Sequence, residues 1–286
     1  MGNLNTEVAD NENKWTKVIE PTESLFRFNF RELWHYRDLI VLFVNRDFVA
    51  AYKQTILGFL WHFIQPLFTT AVFVLVGYFA KIPTDGLPRT LFYLTGIIIW
   101  NYFASCLTKT SNTFVGNAAI FGKVYFPRLA VPISVIISNL MSFIIQFLVL
   151  IPFMIWYRTD VHPNIYLLCL PVIILVIAMM GLGFGLIVSS LTIKYRDLVY
   201  FVAFGVQLGM YVTPVIYPMS LVPAKFRYIM SFNPISPVME VFRFSLLGRG
   251  TFSEYTLAYS VIFSIVVLLI GILLFNKVER NFMDTV

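Results

Sequence analysis

The sequence predicts an all-α membrane protein: six transmembrane helices, an amphipathic interfacial helix before the first, and re-entrant helices between the fifth and sixth. Three observations carry this expectation. The 286 residues are 58% hydrophobic and 17% aromatic but only 13% charged, with a mean hydropathy of +0.78, whereas soluble domains carry about 25% charge. Six predominantly apolar runs lie at 57–80, 90–107, 129–157, 166–193, 198–217 and 255–275, each near the roughly 20 residues that take a helix across about 30 Å of hydrocarbon. The cations are also uneven: with both termini inside, 14 of the 21 Lys and Arg fall in inner segments and seven in outer ones, as the positive-inside rule requires. That orienting role accounts for the net charge of +6 without nucleic acid.

Taken in order, residues 1–29 read as a polar cytoplasmic tail, with no early apolar run of the signal-peptide kind. Residues 30–56 mix Trp34, Leu39, Leu42 and Phe43 with Arg31, Arg37, Asp38, Arg46 and Asp47. Such charge forbids crossing and suits a helix lying flat at the headgroups, although the all-round apolar LIVLF also fits a solvated juxtamembrane helix. Residues 57–286 form the six-span domain. Its first span opens YKQTILGFLWHFIQP, placing His62, Gln65 and Pro66 in its first turns.

The inner connection 109–128 contains GNAAIFGK, which departs from a phosphate-binding loop in the spacing of its glycines and in having Val124 after Lys123. We read no nucleotide site there. GLGFG puts Gly181 and Gly185 on one face of the fourth span and Gly183 opposite, which suits close helix packing. The short KYRD at 194–197 makes the fourth and fifth spans antiparallel neighbours. The outer segment 218–254 is apolar in patches and broken by Pro218, Pro223, Pro234 and Pro237. It suits two short helices dipping into the outer leaflet with their irregular backbone shielded by protein, or a purely external loop.

His35, His62 and His162 are widely separated, with no acidic or cysteine partners at ligand spacing, and no catalytic site, metal site or serine, histidine and acid arrangement stands out. Cys106 and Cys169 fall near opposite faces and read as apolar fillers rather than a disulfide. Asn101, Asn139, Gln146 and Gln207 add uncharged polar groups to the spans. Such groups are costly in lipid, and here they favour a cavity for a hydroxyl-rich solute over an ion pump. Aromatic residues such as Trp61 and Trp100 could stack on sugar rings or form ordinary interfacial belts.

The blocks RDLIVLFVNRDF and YKQTILGFLWHFIQP, then FPRLAVP, KYRD, TPVIYP, NPISPVMEVFR and NKVERNFMDTV, from about residue 30 to the C-terminus, together resemble the permease subunit of polysaccharide ABC exporters of the ABC-2 type, which move O-antigen, capsule or teichoic acid. The resemblance implies a multi-pass protein of the bacterial inner membrane, N-in and C-in, acting as a homodimer on two copies of a separate ABC ATPase. ATP and Mg would sit on that partner, with no cofactor in this chain. The substrate would be undecaprenyl-pyrophosphate-linked polysaccharide, its headgroup entering past Arg37, Arg46, Tyr52, Lys53 and Gln54. Trp61, His62, Gln65, Trp100, Asn101 and Gln207 would line the channel, largely along spans one and five. Asn112, Gly116, Phe121, Gly122 and Lys123 would couple to the ATPase, and Pro218, Pro234, Glu240 and Arg243 would form the outer gate. Two other readings stand beside it: a membrane-embedded glycan-synthesising enzyme, for which Asp38, Asp47 and Asp197 are the inner acidic candidates, each beside an Arg, and an ABC-2 permease for a lipid or drug.

Overall fold

A computed structural model describes residues 30–53, 57–121, 123, 126–158, 161–250 and 253–283. Among these there are helices and turns but no strand. We number the α-helices α1 (Phe30–His35), α2 (Arg37–Tyr52), α3 (Trp61–Phe79), α4 (Arg89–Ser111), α5 (Thr113–Gly116), α6 (Ala118–Phe121), α7 (Ala130–Trp156), α8 (Leu170–Thr192), α9 (Leu198–Val212), α10 (Ala224–Ser231), α11 (Ile235–Leu247) and α12 (Glu254–Met283). Five segments are long and apolar enough to cross a membrane: α3, α4, α7, α12, and α8 with the 3₁₀ turn that leads into it.

The fifth expected span, 198–217, is shorter than its apolar run suggested. Helix α9 has 15 residues and stops at Val212, because Pro214 drives the preceding Thr213 into extended backbone (φ −86°, ψ 146°). From there to Pro218 the chain is non-helical. Beyond it, α10 and α11 are the two short helices that the prolines of 218–254 foretold.

Helix α4 is the axis of the fold. Of its apolar window 78% is buried inside the protein, against 17% for α3, and it packs on α3, α7, α8, α9 and α11. Leu91 to Trp100 are buried without a break, so this helix is apolar all round, as a helix surrounded by others must be. The least covered helices are α3 and α9. Helix α9 has no buried residue, and Tyr200, Phe201, Phe204 and Tyr211 stand open. Helix α2 lays Phe43 and Val44 against the bundle, where it packs on α7, but leaves Val41, Leu42 and Val49 exposed. Its apolar and polar faces are therefore less cleanly separated than an ideal interfacial helix requires.

The glycines of GLGFG explain how α8 packs on two neighbours at once. A methyl group at Gly181 would stand 2.6 Å from Cys106 Cβ, and one at Gly185 would stand 2.5 Å from Thr110 Cβ, both on α4. On the opposite face a methyl at Gly183 would stand 2.8 Å from the Leu268 nitrogen of α12, and one at Gly271 would meet the Gly183 carbonyl at 2.5 Å. Only hydrogen fits at these crossings, which is how small residues draw membrane helices together.

A second core gathers the end of the bundle that carries α1, α2, α5, α6 and the last turns of α12. Phe114 of α5 stacks on Phe275 of α12 with ring centroids 4.5 Å apart. Phe121 of α6 meets Phe126 at 5.7 Å, and Phe126 meets Phe43 of α2 at 5.6 Å. Arg128 lies 5.4 Å above the Phe121 ring and bonds to Glu279. Burial lowers the Arg128 pKa, and the Glu279 carboxylate opposes that fall. These contacts join α2, the α5–α6 connection and α12 into one body.

Candidate functional site: a polar cavity and a buried arginine

Pro66 lies buried in the second turn of α3 and has no N–H to offer the preceding turn. Nearby, Thr69 Oγ1 donates to the Gln65 carbonyl at 2.9 Å. The polar start of this helix faces a polar stripe on α7, where Ser138, Ser142 and Gln146 recur every four residues beside Asn139. Side chains four apart share a helix face. The stripe makes three bonds between helices: Ser142 Oγ to His62 Nε2 at 2.9 Å, Lys109 Nζ to Asn139 Oδ1 at 2.9 Å, and Asn101 Nδ2 to Gln146 Oε1 at 3.3 Å. Such bonds replace the water that these groups lose in a membrane, each contributing about 0.6 kcal/mol on average.

A cavity of about 700 Å³ opens where the stripe reaches the end of the bundle. Its walls include Arg46 and Asp47 of α2, His62 of α3, Thr108 and Lys109 of α4, Asn112, Gly116 and Asn117 around α5, and Ser138 and Ser142 of α7. Residues assigned from the sequence to three separate roles, Arg46 to entry, His62 to the channel, and Asn112 and Gly116 to coupling, thus share one chamber. Arg46 binds Asp47 at 2.8 Å and lies 4.8 Å over the Phe43 ring. Arg37 is exposed at the bundle surface beside Asp38 and Trp34. Lys53 is exposed, while Gln54 and the Tyr52 side chain lie outside the described residues.

Of the other expected channel residues, Trp61, Gln65 and Gln207 are exposed on α3 and α9. Trp100 is 5% exposed. It sits against Phe103 and borders an apolar groove of about 380 Å³ with α8, α9 and Ile235. Among the coupling residues, Asn112 accepts the Gly116 N–H at 2.8 Å, Phe121 is buried in the aromatic cluster, Lys123 is exposed, and Gly122 lies outside the described residues.

At the opposite end Arg243 is 1% exposed. Its Nη1 donates to the Pro214 carbonyl at 2.7 Å, and its Nη2 donates to Val215 at 3.0 Å and Phe92 at 3.3 Å. The guanidinium lies 3.9 Å over the Phe92 ring and 3.6 Å from Glu240. Two of the carbonyls it serves, those of Pro214 and Val215, lie in the non-helical chain after α9, and the third, that of Phe92, belongs to α4. The same end is held by Asn233 Nδ2 to Thr213 Oγ1 at 2.9 Å, by Ser260 Oγ to the Pro234 carbonyl at 2.7 Å, and by Asn164 Nδ2 to the Phe244 carbonyl at 3.0 Å. Pro218 is buried and caps the 3₁₀ turn Met219–Leu221. Gly248 ends α11 at φ +73° against the His162 carbonyl. The four residues expected at an outer gate therefore lie in one tightly bonded region.

The sequence reading passed over the pairing of Lys109 with Asn139. By sequence alone Lys109 is one of the 14 cations of the inner segments and Asn139 one of several intramembrane amides. The four-residue spacing of Ser138, Ser142 and Gln146 was the available signal that this face of α7 is polar throughout.

Residues 38–247 match the family described as ABC-2 type transporter. The chain belongs to that family. It is similar to the O-antigen export system permease protein RfbA of Klebsiella pneumoniae, 29% identical over 249 residues, which cover 86% of this chain and 94% of that protein. It is also similar to the RfbA protein of Myxococcus xanthus, at 26% over 216 residues covering 74% and 82% of the two chains. The polysialic acid transport protein KpsM of Escherichia coli matches at 21% over 241 residues, covering 82% and 91%. This ABC-2 protein has the apolar helices of a membrane domain, in agreement with the family expected from its sequence blocks.

Proposed function

We propose that this ABC-2 protein is the channel-forming permease subunit of an ATP-driven exporter that carries lipid-linked polysaccharide of the O-antigen kind from the cytoplasmic side across the inner membrane. The observation that carries the reading is the exposure of α3 and α9: these least covered helices carry Trp61, Gln65 and Gln207 exposed, and they are the spans assigned to the translocation path. Two copies meeting along these faces would enclose a path with aromatic and neutral polar walls, which lets repeat units slide because no single step holds them tightly. The relatives named for O-antigen and polysialic acid transport support the substrate class.

The rest of the assembly follows from the same reading. Six crossings, with α9 as the fifth, leave both termini inside. Helices α10 and α11 form the re-entrant outer gate, closed by Arg243. Two copies of an ABC ATPase bind ATP and Mg, and their closure presses on α2 and the α5–α6 connection. Because aromatic contacts unite these elements with α12, the push would move all three together. The pyrophosphate headgroup enters through the 700 Å³ cavity.

Deleting the gene and locating the lipid-linked glycan tests the proposal. Accumulation on the inner leaflet is the expected result. Loss of the polymer altogether would point to synthesis instead, and normal surface glycan with altered lipid or drug efflux would point to another ABC-2 cargo.

A further inference from the structure

We infer that Lys109 on the cavity wall, held from behind by the buried Asn139, forms a phosphate-binding subsite, and that its ligand is the pyrophosphate of a polyprenyl-linked substrate. The inference rests on reading the cavity as the substrate entrance, and it moves the anchor for the headgroup from Arg37 at the surface and Arg46, which Asp47 already holds on the cavity wall, to Lys109.

The argument is one of donors and acceptors. Lys109 carries three N–H donors, and the contact to Asn139 Oδ1 engages one. That contact takes the carbonyl of Asn139, a residue only 2% exposed, while its Nδ2 has no acceptor. The neighbouring Ser138 lines the cavity, and its buried hydroxyl also has no partner. The acidic group on the same wall, Asp47, is already held by Arg46 at 2.8 Å, and among the described residues Lys109 makes no ion pair. Donors are therefore in surplus around a cation. Sugar hydroxyls bring a donor with every acceptor, whereas a phosphate brings several acceptors and negative charge, which charge-assisted bonds favour. A lipid origin fits the surroundings, because Leu57, Leu60 and Trp61, just ahead of the cavity-lining His62, are exposed apolar side chains against which an isoprenoid tail can lie.

The test is titration of the purified full chain, in nanodiscs of zwitterionic lipid, with farnesyl pyrophosphate, farnesol and inorganic pyrophosphate. Lys109→Ala should weaken farnesyl pyrophosphate about tenfold to a hundredfold, and Lys109→Arg should restore most of the affinity. Asn139→Asp should abolish binding while holding the fold through a new ion pair with Lys109, and thermal melting checks that it does. Farnesol should bind more weakly than its pyrophosphate and respond to none of these changes. Undiminished binding by Lys109→Ala, or equal binding of farnesol and farnesyl pyrophosphate by the unaltered protein, overturns the subsite. Equal competition by inorganic pyrophosphate overturns its lipid specificity. Retained pyrophosphate binding in a protein that exports no glycan would refute the transport reading and leave the subsite standing, whereas export with no binding would do the reverse.

Discussion

Replacing Arg243 with Met keeps a long side chain but removes the guanidinium, and the contacts set the scale of the loss. The bonds at 2.7 and 3.0 Å to Pro214 and Val215 are good charge-assisted contacts, while the one at 3.3 Å to Phe92 is marginal. Each good bond to a charged group contributes about 1.5–3 kcal/mol. Glu240, 6% exposed, would also lose the cation 3.6 Å away, and breaking one side of a buried ion pair costs about 3–5 kcal/mol. The two figures describe removal of one group and overlap, so the expected destabilisation is about 3–5 kcal/mol rather than their sum. Adding Glu240→Gln removes the stranded carboxylate and should recover about half, the remainder being carbonyls at the α9 break that lack donors. Equilibrium unfolding in mixed micelles, followed by circular dichroism, measures both variants. A loss under about 1 kcal/mol for Arg243→Met, or a double variant no more stable than the single one, would refute this account of how the break is held.

Two further predictions test the packing. Gly183→Ala would set a methyl 2.8 Å from the α12 backbone and should cost about 1–3 kcal/mol as α8 and α12 are forced apart. Gly205→Ala on α9 meets nothing within 4 Å and should gain up to about 1 kcal/mol of helix propensity. The same unfolding assay separates them, and equal effects would contradict the close crossing. Phe275→Ala, which removes the ring stacked on Phe114, should cost about 3–5 kcal/mol and loosen the α5–α6 connection, read as faster tryptic cleavage after the exposed Lys123. Unchanged cleavage would show that α12 does not brace that connection.

The long spans were legible because a helix long enough for hydrocarbon needs a run of apolar residues that no loop needs. The two-faced glycine motif was legible for a similar reason, since GLGFG has few uses outside a close crossing. The length of α9 was misjudged because Val215, Ile216 and Tyr217 are apolar enough to extend the run, although Pro214 had already ended the helix. The burial of Arg243 could not be read locally. In the sequence MEVFRF suggests a charge on an exposed helix face, and the carbonyls that draw it inward belong to Pro214, Val215 and Phe92, far away in the chain. The chamber around Lys109 was hidden for the same reason, because its walls come from six helices whose rotations sequence spacing leaves open.

The 15 residues of α9 make a rod about 22 Å long, whereas the oily layer it would cross is about 30 Å thick. If α9 is the proposed fifth crossing, acyl chains beside it would have to shorten to meet it, at a cost of a fraction of a kcal/mol for each ångström of mismatch, and a second subunit seated there would relieve the strain. Bilayer thickness thus becomes a variable in assembly: thick membranes should press two copies together along α9, and thin ones should let them drift apart.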